Sequence, residues 1–478
     1  MTLEEILSAR PAPGQPRTYE FPGFERTILP LGLQILTVNL PGRPLVSANL
    51  VVRRGAGDEP ADVAGATVLA ARAMTEGTQR YPGVELTEAA ERLGATLHVD
   101  ASWDAFVVAV DVSASRLGAA LELLAELAER PTFPESDVAR LRDERLNDLL
   151  QIKADPRRRV EQAFAATIYT AHSPYARPAA GDEATVPSLT PDVLRQVHRR
   201  VLAPAETAVV IGGDLEGLDV PRMVEEALGS FGAGSGSGAG SGSKAASGAR
   251  APRADSAVDH PIVRFYHRPG SVQTELRIGH VGLPRRVPDF HSVQVMGAIL
   301  GGLFNSRLQM NLREDKGYTY GVGAGFDMRR GAGPFSVRTA VQTAATVPAI
   351  AESLAELRRI RDTQVTSAEL AAACDYLVGV FPLRFETPGA VVAALAGQFI
   401  QELPDEELAR YRREVEAVTI ERVQQAARDH IDPDRIAIVA VGDADAVGAE
   451  LESAGFGELE VINEEVPAEA GAAEEEPE

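Results

Sequence analysis

Two stretches of this chain, residues 189–214 and 418–443, follow one design. The first reads LTPDVLRQVHRRVLAPAETAVVIGGD and the second VTIERVQQAARDHIDPDRIAIVAVGD. At a constant offset of 229 they align over 26 positions without a gap, setting Thr190 over Thr419, Pro204 over Pro433 and Asp214 over Asp443. Each spells a helix, a proline turn and an apolar strand that ends at Gly-Asp. A chain that repeats itself at this distance is constrained to fold as two copies of one domain. The segment GAGSGSGAGSGSKAASGARAPRADS (232–256) lies between the copies and has the composition of a flexible Gly/Ser linker. The expected organisation is an N-terminal extension (1–24), a first domain (25–231), the linker (232–256), a second domain (257–450) and an acidic C-terminal tail (451–478) expected to be disordered.

Within each copy, strand and helix signals alternate in groups. RTILPLGLQILTVNL and LVSANLVVRRGAG read as a ribbon followed by a core strand, and ATLHVDASWDAFVVAVDVSA (95–114) as two strands turning near Ser102. SRLGAALELLAELAERP (115–131) and PESDVARLRDERLNDLLQIKAD (134–155) read as helices. The second copy repeats the plan, with strands from Tyr318 to Thr343. The expected fold class is α+β: two homologous domains, each an antiparallel-rich sheet packed with helices.

Composition narrows the function classes. The 478 residues are 45 % apolar, enough for sizeable cores, and the formal net charge is −22. Seven of the acidic residues are glutamates between 464 and 478, yet the body is acidic as well, which argues against nucleic acid or an anionic membrane surface as partner. The single cysteine, Cys374, excludes a disulfide framework or a cysteine metal site and reads as a buried thiol. The start MTLEEILSARPAPG lacks the pattern of a secretory signal, and no apolar run approaches the length of a membrane span, so a cytoplasmic location is expected.

Local motifs offer no self-sufficient catalytic centre. None of the eight histidines (98, 172, 198, 260, 267, 280, 291 and 430) pairs with another at helical spacing, so no helical His–carboxylate zinc site can be written. A site assembled from distant histidines stays open. No Gly-x-Ser-x-Gly elbow, Walker loop or dinucleotide fingerprint is present. The stretch GATVLAARAMTEGT (65–78) reads as a short helix on which positions 68, 71 and 72 share a face.

Several stretches together resemble the pitrilysin/insulinase family of zinc metallopeptidases, in its processing-peptidase branch, over about residues 25–450. They are VVRRGAGDEP with GATVLAARAMTEGT, then HSPYARPAAGDEATVPSLTPDVLRQVHRRVLAP, and LGGLFNSRLQMNLREDKGYTYGVGAGF (300–326). The resemblance implies a clamshell half of two homologous domains. It also implies what is missing. The family's zinc helix reads close to G-x-A-H-F-L-E-H-M-x-F-x-G-T, and laid on Gly65 and Gly77-Thr78 it puts Val68 and Arg72 at the histidines and Ala71 at the glutamate. The third ligand position meets Asn147-Asp148-Leu149, where only Asp148 is a carboxylate. Valine ligates no metal, alanine polarises no water and a guanidinium repels a dication, so no metal is expected in this chain.

The second-domain signature is kept. It implies that Arg313 and Tyr320 reach the substrate, and Gly301 and Gly302 form its glycine-rich segment, letting backbone bend or approach a ligand. Arg offers forked donors to a carbonyl or carboxylate, and a Tyr hydroxyl donates to an oxygen becoming negative. Read without the resemblance, Arg313 is a solvated helix end paired with an acid such as Asp315, and Tyr320 a core strand aromatic. Tyr318 stands two residues earlier on the same face, and Arg307 reads as structural. The implied function is a non-catalytic, substrate-binding partner subunit of a heterodimeric zinc metalloendopeptidase acting on peptides or unfolded segments. A homologous subunit would carry the zinc, and this chain would be inactive alone. Two other readings stay open: a catalytically silent structural or peptide-binding scaffold, like core subunits of respiratory complexes, and an enzyme with a relocated metal site.

Overall fold

The computed structural model describes residues 18–42, 44–229, 231 and 251–464. The first half builds a six-stranded sheet from β1 (Glu25–Ile28), β2 (Gln34–Asn39), β3 (Leu45–Val52), β4 (Thr96–Ala101), β5 (Phe106–Ser113) and β6 (Thr207–Gly213), in the order β1-β2-β6-β3-β5-β4. The second half repeats it with β7 (Ile262–His267), β8 (Gln273–Val281), β9 (Thr319–Phe326), β10 (Pro334–Gln342), β11 (Ala437–Gly442) and β12 (Glu458–Asn463), in the order β12-β7-β11-β8-β10-β9. The architecture is α+β in two copies, as the repeat requires.

The duplicated stretch folds twice into the same pieces. The helices Pro191–Val201 and Ile420–His430 start and stop at the 229-residue offset, and β6 and β11 each take the third place in their sheet. Both helices open on a threonine cap: the Thr190 hydroxyl accepts from the Val193 amide (3.4 Å) and Thr419 from Arg422 (3.3 Å). Antiparallel pairs predominate, but β2 pairs β6 in parallel, and β7 pairs both β11 and β12 in parallel.

Each sheet is covered on one face by its own helices and on the other by one helix from the opposite half. Helix Pro156–Ile168 of the first half seats Val160, Ala163, Phe164 and Ile168 on Ala437, Val439 and Val441 of β11. Helix Pro388–Ile400 of the second half seats Val391, Val392, Leu395 and Phe399 on Leu36, Val38, Ala208 and Val210. A large apolar side chain fully buried contributes about 1.5–3 kcal/mol, so this exchange of helices dominates the cohesion of the halves.

A small polar latch fixes their register. The buried Asp104, in the β4–β5 turn, accepts from the Arg330 amide (2.8 Å) and the Tyr175 hydroxyl (3.3 Å). That hydroxyl accepts from the Gly331 amide (3.2 Å), and the Tyr169 hydroxyl donates to the Ala332 carbonyl (2.9 Å).

Three expected boundaries move. The second domain continues beyond 450: helix Ala444–Ala454 is followed by β12, which takes at the sheet edge the place β1 holds in the first half. Only 465–478 of the expected tail lie outside the described residues. Of the expected linker, 232–250 lie outside them, whereas 251–256 pack on the first half, where Asp255 accepts from the Thr170 amide (3.0 Å) and Arg253 from the Ser173 hydroxyl (2.8 Å). In the expected extension, 1–17 lie outside, while Tyr19 and Phe21 pack against Phe385 of the second half.

Candidate functional site

The stretch 65–78 forms the helix Ala66–Met74. Gly65 enters it at a φ of 96°, a left-handed conformation, and a Cβ there would meet the Ala180 carbonyl oxygen at 2.7 Å. Gly65, the N-cap residue, has no side chain with which to cap the helix. Instead the Glu59 carboxylate accepts from the amides of Gly65 (2.6 Å) and Thr67 (2.9 Å) and from the Thr67 hydroxyl (2.7 Å), placing negative charge at the helix N-terminus. Burial pushes the Glu59 carboxyl above its usual range, against these hydrogen bonds.

The ligand face holds no metal chemistry. Val68 is half-buried, Ala71 is buried in the first core, and Arg72 is exposed and pairs with Glu144 at 3.3 Å. Asp148 is engaged as well, accepting from Arg145 (2.5 Å) and Arg158 (2.6 Å). Burial opposes its charge, but Arg158 and Arg145 outweigh burial and hold its carboxyl below the usual range. The residues at these four positions do not fit a zinc ion.

Among the described residues one trio has metal-ligand spacing: His267, Asp443 and Asp445, whose ligand atoms lie within 4.8 Å of one another. Two of the three, His267 and Asp443, already cap helix Ala444–Ala454. His267 Nδ1 accepts from the Ala444 amide (3.0 Å), and Asp443 accepts from the amides of Gly270 (2.9 Å) and Asp445 (3.1 Å). Other histidines are structural: buried His198 bonds the Ala128 carbonyl (2.8 Å) and is pushed down to about 4 by burial, and His430 meets Asp289 at 2.7 Å. Cys374 is half-buried, and burial raises its thiol pKa.

The second-half signature is built differently. Arg313 lies in a π-helical turn, Gln309–Asp315, where the Lys316 amide reaches back five residues to Asn311 (3.0 Å). Such widened turns recur at functional sites. The turn sets the Arg313 guanidinium between two rings, with Cζ 4.8 Å from the Phe304 centroid and 5.5 Å from that of Tyr320. Tyr320 is 93 % exposed and Phe304 70 %, so the two rings are displayed outward around the half-buried Arg313. The expected pairing of Arg313 with Asp315 is replaced by Glu314 at 3.4 Å, and Tyr320 is no core aromatic. Tyr318 is the half-buried one, packed on the second core. Arg307 is buried and bonded to Glu369 (2.6 and 3.2 Å), a structural role as expected from sequence.

The glycine pair has a packing reason. A Cβ at Gly301 would lie 2.4 Å from the Ala324 amide nitrogen, so the close approach it permits is to β9 rather than to a ligand. At Gly302 the nearest atom would be 3.3 Å away. No hydrogen bond, ion pair or ring contact among the described residues joins the 66–74 helix to Arg313 or Tyr320.

Tyr318 and Tyr320 stand at one side of a cavity of about 1010 Å³ between the halves. Its other walls are Arg157, Arg158 and Glu161 of helix 156–168, Glu275 and Arg277 of β8, and Arg338 of β10. Phe304 and these arginines escaped sequence reasoning. Phe304 sits within the quoted signature, but the arginines come from three distant segments and share no pattern.

Known proteins with this design were found at two levels. A model described as Insulinase (Peptidase family M16) matches residues 34–183, and one described as Peptidase M16 inactive domain matches residues 188–377. An uncharacterized zinc protease of Mycobacterium tuberculosis is 25 % identical over 408 residues, covering 84 % of this chain and 90 % of that protein. A protein of Helicobacter pylori described as a non-peptidase homolog is 23 % identical over 367 residues, covering 76 % and 80 %. The solved structure of a peptidase M16 inactive domain from Pseudomonas fluorescens superposes with a TM-score of 0.80 at 23 % identity, covering 88 % of this chain and 98 % of that one. A protease of Helicobacter pylori gives 0.78 at 17 %, covering 89 % and 100 %; these two likenesses speak to the fold.

Proposed function

Because this chain belongs to the insulinase (peptidase M16) family as a non-catalytic homologue, we propose that it is the substrate-holding partner of a homologous, zinc-bearing peptidase subunit. The observation that carries this reading is the contrast between two sites. Val68, Ala71, Arg72 and the doubly engaged Asp148 leave nothing to hold zinc, while Arg313 and Tyr320 are kept, the Tyr320 ring almost fully exposed beside the half-buried Arg313.

The partner's zinc would supply an activated water. This chain supplies the groups that face it. Arg313, steadied by the Phe304 and Tyr320 rings, offers forked donors to a substrate carbonyl or carboxylate. The Tyr320 hydroxyl donates to an oxygen that gains charge during attack. β9 is the outer strand of its sheet, so an extended peptide or unfolded segment can add to it by main-chain hydrogen bonds. Among the described residues no single helix is long and apolar enough to cross a membrane.

Reconstitution tests the reading. The chain alone should leave a quenched peptide intact, the mixture with a zinc-bearing homologue should cleave it, and R313A or Y320F should slow the mixture. The scaffold reading draws support from the relative described as a non-peptidase homolog. It predicts turnover in the mixture unchanged by either substitution.

A further inference from the structure

The cavity between the halves carries charge opposite to that of the chain. Arg338 of β10 and Arg277 of β8 are register partners, so two arginines stand directly opposite on one sheet face. Like charges so placed are destabilising unless balanced. Arg277 is buried and balanced: it donates to Glu161 and, at 3.4 Å, to Glu275. Arg338 is exposed and has no hydrogen-bond or ion-pair partner among the described residues. On the opposite wall Arg158 is engaged by Asp148, but the neighbouring Arg157 guanidinium has no ion-pair partner among the described residues. In a protein of net charge −22, four arginines face this cavity against two glutamates, and neither Arg338 nor Arg157 is held in an ion pair, Arg157 acting only through space on Glu275.

The floor beside them is bare. Gly321, Gly323 and Gly325 take alternate positions on β9, and Gly323 is the other register partner of Arg338, so the glycines share its face. None has a left-handed φ, and a Cβ at Gly321 or Gly325 would meet nothing within 4 Å. Gly321 lies at the register shift between β9 and β10 and lines the cavity, and the absence of side chains along this face leaves the space beside Arg338 open.

We infer that this groove, beside the outer strand β9, binds an extended acidic polypeptide segment whose carboxylates are met by Arg338 and Arg157. The inference rests on the reading of the chain as a holder of polypeptide substrates and adds their class. In an extended segment every second side chain points to the same face, so acidic residues at i and i+2 present carboxylates to one wall. Each guanidinium can donate two parallel hydrogen bonds to a carboxylate. A lysine-rich segment would be repelled.

Fluorescence anisotropy on the full chain tests this with labelled peptides of equal length, one Glu-rich, one Ser/Ala-rich and one Lys-rich. The Glu-rich peptide should bind tightest and weaken with added salt. R338E and R157E should each weaken it by about tenfold or more, a difference of ~1.4 kcal/mol, with unchanged melting temperature. R338Q should fall between R338E and the parent. Equal binding of the Glu-rich and Ser/Ala-rich peptides, or full binding by R338E, overturns the inference and leaves the substrate-holding reading standing. Failure of all three peptides to bind overturns both.

Discussion

Replacing Asp104 by alanine should loosen the two halves from one another. Asp104 is 5 % exposed and is the acceptor for two buried donors, the Arg330 amide at 2.8 Å and the Tyr175 hydroxyl at 3.3 Å. Leaving a buried donor unsatisfied costs roughly 1–3 kcal/mol. Two such donors give about 2–6 kcal/mol, offset in part because a buried carboxylate no longer has to be desolvated; the net penalty expected is about 2–3 kcal/mol. D104N keeps one acceptor oxygen and should lose roughly half as much.

The pH dependence has a definite sign. Burial raises the Asp104 carboxyl above its usual range, against the Arg330 amide and the charges of Arg330 and Arg329. A group whose pKa is higher in the folded state contributes stability below its unfolded pKa, near ~3.9, that is lost as pH rises through the folded value. Parent stability relative to D104N should therefore fall as pH rises from about 4 through that raised value, and level off above it. The assay is built into the chain. Its single tryptophan, Trp103, packs edge-on to Tyr175 at 5.4 Å and under Arg329 at 5.4 Å, so Trp fluorescence during urea titration reads the latch directly. A D104A penalty under about 0.5 kcal/mol, the level of an ordinary surface change, would refute this account of the latch.

Other outcomes follow from the same geometry. G301A should destabilise by about 1–3 kcal/mol, since the new Cβ overlaps β9, whereas G302A should be far milder; thermal melts compare the two. In the reconstituted pair, R313A and Y320F should each lower kcat by about 10²-fold with smaller effects on KM, because the groups act as charge develops. Restoring ligands with V68H/A71E/R72H should give only weak zinc binding by calorimetry, because Asp148 stays engaged by Arg145 and Arg158; adding R158A should tighten it, and tight stoichiometric zinc in the triple variant would contradict the reasoning. E59Q removes the charged cap of the 66–74 helix and should cost about 1 kcal/mol in urea melts.

Much of this architecture is legible in the sequence because it repeats. The copies at 189–214 and 418–443 carry their threonine caps, proline turns and strands on their face, and the helices begin and end where the offset puts them. β12 was missed because it has no copy: its counterpart in space, β1, comes from the other end of the chain. Acidic composition hid the alternation of ELEVIN within what reads as tail. Residues 251–256 look like linker because their order comes from hydrogen bonds to Thr170 and Ser173, which no local pattern announces. At the candidate site the family resemblance pointed to Arg313 and Tyr320, but no sequence pattern announces the π-helical turn or the Phe304 ring beside the guanidinium. The cavity arginines were invisible for a related reason: Arg157 and Arg338 meet only once the first half's helix is laid on the second half's sheet.

The central claim is that this chain holds substrate and leaves bond cleavage to a zinc-bearing partner. Its most direct test is one quenched-peptide assay with three samples: this chain, a zinc-bearing homologue, and the two mixed, each with and without chelator. The account predicts no cleavage by the chain alone, chelator-sensitive cleavage by the mixture well above the homologue alone, and loss of that gain with R313A. Chelator-sensitive cleavage by the purified chain alone would contradict it.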